Sequence, residues 1–157
     1  MKIISGGQTG ADRAALDAAI ALGIPHGGWL PRGRKAEDGK VREIYNLREL
    51  ASPRYRDRTR KNIQDSDGTL IVSFGPLTGG SALTEALAIR YDRPCLHLNM
   101  IDISPDEARV ALEKWLKKYS IATLNVAGPR ASGEPRIYGM VKTLLLNLNW
   151  RDHETSR

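Results

Sequence analysis

The chain has 157 residues, 41% of them hydrophobic and 27% charged, and a formal net charge of +6. This length and composition are typical of one globular domain and exclude a disordered or fibrous protein. No run approaches the ~20 apolar residues of a membrane helix, no signal peptide precedes the first apolar segment, and the single cysteine, Cys95, excludes an intrachain disulfide. We expect a cytoplasmic protein without membrane contact, with one domain over residues 1–150 and a polar, flexible tail over 151–157.

The positive charge favours an anionic partner, which the charge alone leaves open as a nucleotide, another phosphorylated molecule or nucleic acid. Basic residues concentrate in the segments 32–35 and 54–61. The few aromatic residues do not alternate with the basic ones, as they do on surfaces that stack single-stranded nucleic acid. A small phosphorylated ligand is therefore the preferred hypothesis, and nucleic acid is disfavoured.

Apolar runs and helical periodicity alternate along the whole chain. Strands are predicted at residues 2–5, 24–30, 68–74, 94–98 and 122–126. Helices are predicted at residues 9–22, 53–65, 81–91, 105–118 and 136–148. Gly23 ends the first helix, Ser104 and Glu107 form a capping box before the fourth, and the polar segment 31–40 is expected to be a long loop. This alternation predicts an α/β fold with a mainly parallel sheet covered by helices on both faces.

A glycine-rich loop follows the first predicted strand. In an open parallel sheet, ligands bind beyond the carboxyl ends of the strands, and the next helix offers free N–H groups to an anion. The loop residues predicted to contact a ligand are Gly6, Gly7, Gln8, Thr9, Gly10, Asp12 and Arg13. The alternative is an ordinary helix start, in which Thr9 and Asp12 form a capping box and the glycines only make the turn. The loop matches neither the Gly-x-Gly-x-x-Gly nor the Walker pattern.

A second glycine-rich loop, residues 75–85, follows the strand 68–74. Thr78 and Ser81 place hydroxyl groups beside Gly79 and Gly80, although either hydroxyl could be just a helix N-cap. Both glycine loops and the loop after Val126 should lie along the same edge of the sheet. Together they predict contact with the phosphate of a small ligand or nucleotide.

Further polar and basic residues extend the predicted site. One helix face carries Tyr55, Arg58, Thr59 and Asn62 at spacings of three, four and seven residues. Such a face either lines a polar cavity or is simply solvated; we include Arg58 and Asn62 among the ligand contacts. The remaining cations that we expect at the ligand, unless they only keep the surface soluble, are Arg32, Arg34, Lys35 and Arg130.

Candidates for catalysis and metal binding are few. Asp12 and Glu85 are the carboxylates next to the glycine loops that could act as acid or base, yet helix-start electrostatics explains each of them equally well. Cys95 and His97 lie two apart on one predicted strand and so point the same way, but they are better explained as core residues. No spaced histidine pair or paired cysteines are present. We therefore expect no protein-coordinated metal.

Several stretches resemble the molybdenum carrier (molybdenum cofactor carrier-like) family. They cover residues 5–17, which read SGGQTGADRAALD, and residues 27–39, 58–62, 65–70, 75–80 and 124–130. That family is grouped with the circularly permuted YpsA branch of a Rossmann-like superfamily that includes the lysine-decarboxylase-like or lonely-guy proteins. The resemblance implies a three-layer Rossmann-like fold, the molybdenum cofactor (a pterin that carries a phosphate) or a nucleotide as ligand, a homo-oligomer, and molybdoenzymes as recipients of a carried cofactor.

Lonely-guy enzymes release a base from a nucleoside monophosphate with a Pro-Gly-Gly-x-Gly-Thr-x-x-Glu loop, which residues 76–85 only partly resemble. Thr84 stands where that pattern places its glutamate, and Glu85 is one residue late, a rotation of about 100° on a helix. The preferred hypothesis is therefore a binding or carrier protein. The alternatives are a nucleoside-monophosphate phosphoribohydrolase that uses Glu85 or Asp12, and a nucleotide-sensing module without turnover.

Overall fold

The computed structural model describes residues 1–154 and is built around a parallel β-sheet. The strands in chain order are β1 (Lys2–Ile4), β2 (His26–Gly27), β3 (Trp29–Leu30), β4 (Lys35–Ala36), β5 (Gly39–Lys40), β6 (Arg48–Glu49), β7 (Gly68–Ser73), β8 (Cys95–Asn99) and β9 (Thr123–Ala127). Five of them form the central sheet in the order β2-β1-β9-β7-β8, and every neighbouring pair in it is parallel. The carboxyl ends of β1, β9 and β7 therefore lie side by side.

Helices cover both faces of this sheet. They are α1 (Ala11–Leu22), α2 (Tyr55–Gln64), α3 (Gly79–Arg90), α4 (Pro105–Lys118), α5 (Ile137–Leu146) and α6 (Arg151–Glu154). The main hydrophobic core joins one face of the sheet to α1, α4 and α5, and a smaller cluster joins α2 and α3 beside the other face. The predicted three-layer Rossmann-like fold is thus confirmed.

The sequence explains why these elements form. Leu70, Ile71 and Val72 of β7 are all fully buried, as expected for a parallel strand packed on both faces. Helix α1 presents small buried alanines that allow close packing against α5. Gly23 ends α1 in the left-handed conformation at φ 68°, which favours glycine. The predicted capping box of Ser104 and Glu107 at the start of α4 is present.

The segment 31–40, predicted as a long loop, contains the antiparallel hairpin of β4 and β5. It is held down by a separate apolar cluster that includes Leu16, Leu30 and Val41. The sequence does not predict this hairpin, because strands of only two residues produce too weak an apolar pattern. We name residues 31–41 the hairpin segment below.

Near the C-terminus, residues 151–154 form the short helix α6 where the sequence predicts a flexible tail. The rest of that predicted tail, residues 155–157, lies outside the described residues. Within the described part of the chain, no helix combines the length and apolarity needed to cross a bilayer.

Candidate functional site

A polar cleft of about 460 Å³ opens at the carboxyl ends of β1, β9 and β7. Both glycine loops, helix α2 and the loop after β9 contribute to its walls. The predicted site residues that line it are Gly6, Gln8, Asp12, Arg58, Asn62, Thr78, Gly79, Gly80, Ser81 and Arg130. The parallel sheet brings these segments together, as expected for an open α/β sheet.

The second glycine loop presents the open N-terminus of α3 to the cleft. Thr78 is its N-cap residue, but its side chain makes no capping hydrogen bond. The backbone amides of Gly79 and Gly80 have no hydrogen-bond partner within residues 1–154. A Cβ atom added to either glycine would meet no atom within 4 Å. These two amides, together with the helix dipole, are suited to an anion.

In the first glycine loop, by contrast, several backbone amides donate hydrogen bonds inside the protein. The Gln8 amide donates to Asp12 Oδ2 at 3.3 Å, and the Thr9 amide donates to Gln8 Oε1 at 3.0 Å. The Ala11 amide donates to the carbonyl oxygen of Pro129 at 3.2 Å. The amides of Gln8, Thr9 and Ala11 are thus used within the protein, so this loop is less open to an anion than the start of α3.

The capping box considered for Thr9 and Asp12 is absent. Gly10 is the N-cap of α1, at φ 79°, and no side chain caps the helix. Thr9 Oγ1 instead accepts from the Ala131 amide at 3.1 Å and donates to Glu37. Thr9 and Gly10 therefore join the loop after β9 to the hairpin segment, and neither lines the cleft. Gly7 also lies outside the lining, packed toward Leu47.

Asp12 and Arg58 form a buried ion pair in the cleft wall. Asp12 Oδ2 and Arg58 Nη1 are 3.6 Å apart, and only 11% of either side chain is exposed. Arg58 Nη1 also donates to the carbonyl oxygen of Gly6 at 2.7 Å. Burial raises the pKa of the Asp12 carboxyl above its ordinary value, although Arg58 opposes this shift, and burial lowers the pKa of the Arg58 guanidinium. The pair ties α2 to the first glycine loop.

The polar face predicted on α2 does line the cleft, with Tyr55, Arg58, Thr59 and Asn62 all in its wall. Ile63 is the one buried apolar residue of this helix. Asn62 is held in place by two hydrogen bonds with the backbone of Trp29, to the amide at 2.8 Å and to the carbonyl at 3.0 Å. Its amide group is therefore already committed, and the Thr59 hydroxyl donates to the carbonyl oxygen of Tyr55 at 3.0 Å.

Gln8 carries a buried donor that the protein does not use. The residue lines the cleft and is 6% exposed. Its Oε1 accepts from the Thr9 and Glu37 amides at 3.0 and 2.9 Å, which fixes the orientation of the side-chain amide. Its Nε2 has no hydrogen-bond partner within the described residues. A buried donor of this kind is costly unless it meets an acceptor.

The predicted basic contacts separate into two groups. Arg130 lines the cleft, but Arg13, Arg32, Arg34 and Lys35 are not part of its wall. Arg13 donates to the carbonyl oxygen of Gly7 and pairs with Asp38 at 3.0 Å. Arg34 is 7% exposed, and its guanidinium donates to backbone carbonyls of the following segment. Arg13 and Arg34 thus bind other groups of the protein and lie outside the cleft wall.

The two candidate carboxylates are placed differently. Asp12 lies in the cleft wall, whereas Glu85 does not, because one helical position turns it away from Thr84, which does line the cleft. Thr84 Oγ1 donates to the carbonyl oxygen of Gly80 at 2.9 Å. The position that the phosphoribohydrolase pattern gives to a glutamate is therefore filled by a hydroxyl group.

Cys95 and His97 are half-buried on β8, the edge strand of the sheet. His97 Nε2 lies 2.6 Å from Ser73 Oγ, and Ser73 lines the cleft. Burial raises the pKa of the Cys95 thiol to about 11. Among the described residues, no three His, Cys, Asp or Glu side chains gather as a metal site would require.

Sequence reasoning missed two polar contributors that sit inside strands. Ser73 and Asn125 line the cleft and are both buried. Asn125 donates to Thr69 Oγ1 at 3.2 Å across the sheet. A polar residue inside an otherwise apolar strand was the available signal, since such a residue needs a polar partner where the strand is buried.

The fold and the cleft define a Rossmann-like α/β protein with a polar cleft at the carboxyl ends of its strands. The model of the circularly permutated YpsA SLOG family matches residues 3–149, and the chain belongs to this family. It is also similar to a protein from Syntrophus aciditrophicus SB whose crystal structure is named "Putative molybdenum carrier protein". The two share 55% sequence identity over 92% of this chain and 91% of the other, with a TM-score of 0.91. No curated protein matches the chain.

Proposed function

We propose that the cleft binds a small phosphorylated ligand, either the molybdenum cofactor or a nucleotide, and that the protein is a binding or carrier protein for it. The observation that carries this proposal is the open N-terminus of α3, where the free amides of Gly79 and Gly80 face a cleft that also holds Arg58 and Arg130. Backbone amides at a helix N-terminus bind phosphate without any further residue type.

The groups that line the cleft fit both the phosphate and the organic part of such a ligand. Amides, hydroxyls and guanidinium groups suit a phosphate, and the unpartnered Gln8 Nε2 suits a ring carbonyl or ring nitrogen. Tyr55 and Phe74 add aromatic surface for a flat ring. The name of the similar Syntrophus aciditrophicus protein supports the molybdenum cofactor as the first ligand to test. When bound, that cofactor would supply its own metal chemistry, and the residues named here would hold its phosphate and pterin.

The first experiment places a negative charge at the phosphate position. Gly80→Asp has room for its side chain, because an added Cβ meets no atom within 4 Å. A carboxylate in the first turn of a helix favours the fold by about 0.3–1 kcal/mol, so the variant should be at least as stable as the parent. Its affinity for AMP or the molybdenum cofactor should fall at least about 100-fold, because juxtaposed like charges cost several kcal/mol.

Gly80→Asn is the matched control, since it has the same shape without the charge and should bind at least about tenfold more tightly than Gly80→Asp. Gly7 is less suitable for such a test, because its φ is +75° and a Cβ would lie 2.8 Å from Leu47 Cδ1. Titration calorimetry and thermal shift provide the readouts. Equal binding by the Asp and Asn variants, or a folded parent that binds neither compound, would exclude the phosphate site at α3.

A second candidate, hydrolysis of a nucleoside monophosphate, rests on Asp12. It is a buried carboxyl in the cleft wall with a raised pKa, which is a feature of general acids. Incubation with AMP and chromatography for free base and ribose 5-phosphate tests this function. A hydrolase should lose product formation in Asp12→Asn while Glu85→Gln remains active, because Glu85 does not line the cleft. A carrier or sensor should form no product at all.

We also propose, from the family resemblance, that the protein forms a homo-oligomer and that a carried molybdenum cofactor passes to molybdoenzymes. Native mass spectrometry of the purified protein tests both the oligomeric state and any bound ligand. Transfer is tested by mixing cofactor-loaded protein with an apo-molybdoenzyme and following the recovery of enzyme activity. A monomer would exclude the first of these, and the absence of recovery would exclude the second.

A further inference from the structure

Three cations from separate segments converge on the aromatic ring of Tyr55. Lys35 Nζ lies 4.6 Å from the ring centroid, Arg58 Cζ lies 5.2 Å from it and Arg130 Cζ lies 5.7 Å from it. They come from the hairpin segment, from α2 and from the loop after β9, so only the fold brings them together. We name these three cations with Tyr55 the Tyr55 cluster.

The Tyr55 cluster has more positive charge than its neighbours balance. Asp12 pairs with Arg58 at 3.6 Å and Glu37 lies 3.9 Å from Arg130, so two carboxylates accompany three cations. No carboxylate within the described residues lies within 4.0 Å of Lys35. The nearby charge of Arg130 contributes to lowering the pKa of Arg58, because like charges repel.

The ring attracts cations, but that attraction does not account for gathering three of them. A cation over an aromatic face gains about 0.5–1 kcal/mol at an exposed site, while neighbouring cations repel one another. Half of the Arg130 side chain is exposed, at 48%, so it is free to turn toward a ligand. Arg56, also in the cleft wall, adds a further guanidinium beside the cluster. This arrangement is typical of a site that binds an anion.

Tyr55, Arg58 and Arg130 of the Tyr55 cluster line the cleft, with Lys35 just outside its wall, whereas the free amides of Gly79 and Gly80 belong to the start of α3. We propose that the cleft has two anion subsites and that its ligand carries two phosphate groups, as a nucleoside diphosphate or a diphosphate-linked dinucleotide does. One phosphate binds at the α3 N-terminus and the other at the Tyr55 cluster. This inference rests on the proposed function and adds the second subsite to it.

The unpartnered Nε2 of Gln8 is an independent sign that a ligand belongs in this cleft. It is a donor on a side chain more than nine-tenths buried, in the wall of the same cleft. We expect the group that carries the two phosphates to offer this donor an acceptor.

Calorimetric titration with AMP and with ADP at constant ionic strength tests the second subsite. The parent should bind ADP about tenfold more tightly than AMP, which is about 1.4 kcal/mol. Arg130→Gln should lose most of this preference, because its affinity for ADP should fall at least about threefold more than its affinity for AMP. Arg60→Gln is the matched control, because Arg60 is 49% exposed on the same helix α2 and does not line the cleft. It should keep the full preference.

Inorganic pyrophosphate and phosphate provide the same comparison without a base, and pyrophosphate should likewise bind more tightly. Equal affinity of the parent for ADP and AMP, and for pyrophosphate and phosphate, would overturn the second subsite. An equal loss of both nucleotides in Arg130→Gln would also overturn it, because Arg130 would then act on a single phosphate. Failure of the proposed function would give a different result from failure of the second subsite. In that case AMP would bind with the same affinity to the parent and to Gly80→Asp, or none of the four probes would bind.

Discussion

The buried pair of Arg58 and Asp12 leads to a prediction that combines stability and pH. In Arg58→Met the hydrophobic stem remains, but the guanidinium that lies 3.6 Å from Asp12 and 2.7 Å from the Gly6 oxygen is lost. Removing one partner of a buried ion pair costs about 3–5 kcal/mol, because the other charge stays buried without compensation. For a chain of this length, that corresponds to a fall in Tm of about 6–20 °C.

The stability loss caused by Arg58→Met should become smaller as the pH is lowered. Without Arg58, the pKa of Asp12 in the folded protein rises further above its ordinary value of 3.8, since burial is the main cause of the shift and Arg58 opposes it. A group with a raised folded pKa contributes stability that is fully present below its unfolded pKa and is lost as the pH rises through its folded pKa. The difference in Tm between parent and variant should therefore be largest at pH 7 and smaller at pH 5.

Urea denaturation and thermal unfolding across this pH range provide the assay. Arg60→Met is the control, because its ion pair with Asp57 is half-exposed and is worth only about 0–1 kcal/mol. The double variant Asp12→Asn with Arg58→Met removes both charges and should be more stable at pH 7 than Arg58→Met alone. A loss below about 1 kcal/mol, or one that is independent of pH, would refute the role assigned to this buried pair.

Three further predictions concern the scaffold. Gly28→Ala should lower the free energy of unfolding by about 2–4 kcal/mol in urea, because Gly28 has a φ of +127° and a Cβ would collide with a backbone carbonyl; unchanged stability would contradict this packing. Ser104→Ala should cost about 1 kcal/mol of stability through loss of the capping box on α4, and an unaltered Tm would count against that role. Burial and hydrogen bonds to Asp17 raise the pKa values of Tyr45 and Tyr138 to about 12, so a spectrophotometric titration should show both ionising near pH 12, and Asp17→Asn should bring both values closer to about 10.

Much of the architecture follows from the sequence because it depends on local patterns. The run Leu70–Val72 is apolar without alternation, as a buried parallel strand requires, and the spacing of Tyr55, Thr59 and Asn62 places them on one side of a helix. Strands that alternate with helices must run parallel, so the loops after β1, β7 and β9 had to meet at one edge of the sheet. The position of the cleft was therefore predictable.

The difference in hydrogen bonding between the two glycine loops was not predictable, because it depends on contacts between residues far apart in sequence. Three amides at the first loop donate to Asp12, Gln8 and Pro129, whereas those of Gly79 and Gly80 are not used by any described residue. Both loops are rich in glycine and contain hydroxyl residues, so their local sequences do not distinguish them. Only the tertiary structure brings Pro129 onto the start of α1, across more than a hundred positions of the chain.

Contacts between distant segments also decide which groups the basic residues bind. The sequence by itself determined the net positive charge and its concentration in two segments, because these are properties of composition. The tertiary structure decided that Arg34 turns inward to backbone carbonyls while Lys35, its neighbour, reaches Tyr55. A long basic side chain can reach either solvent, a carbonyl or a ring, and the partner that it finds depends on which distant segment folds against it.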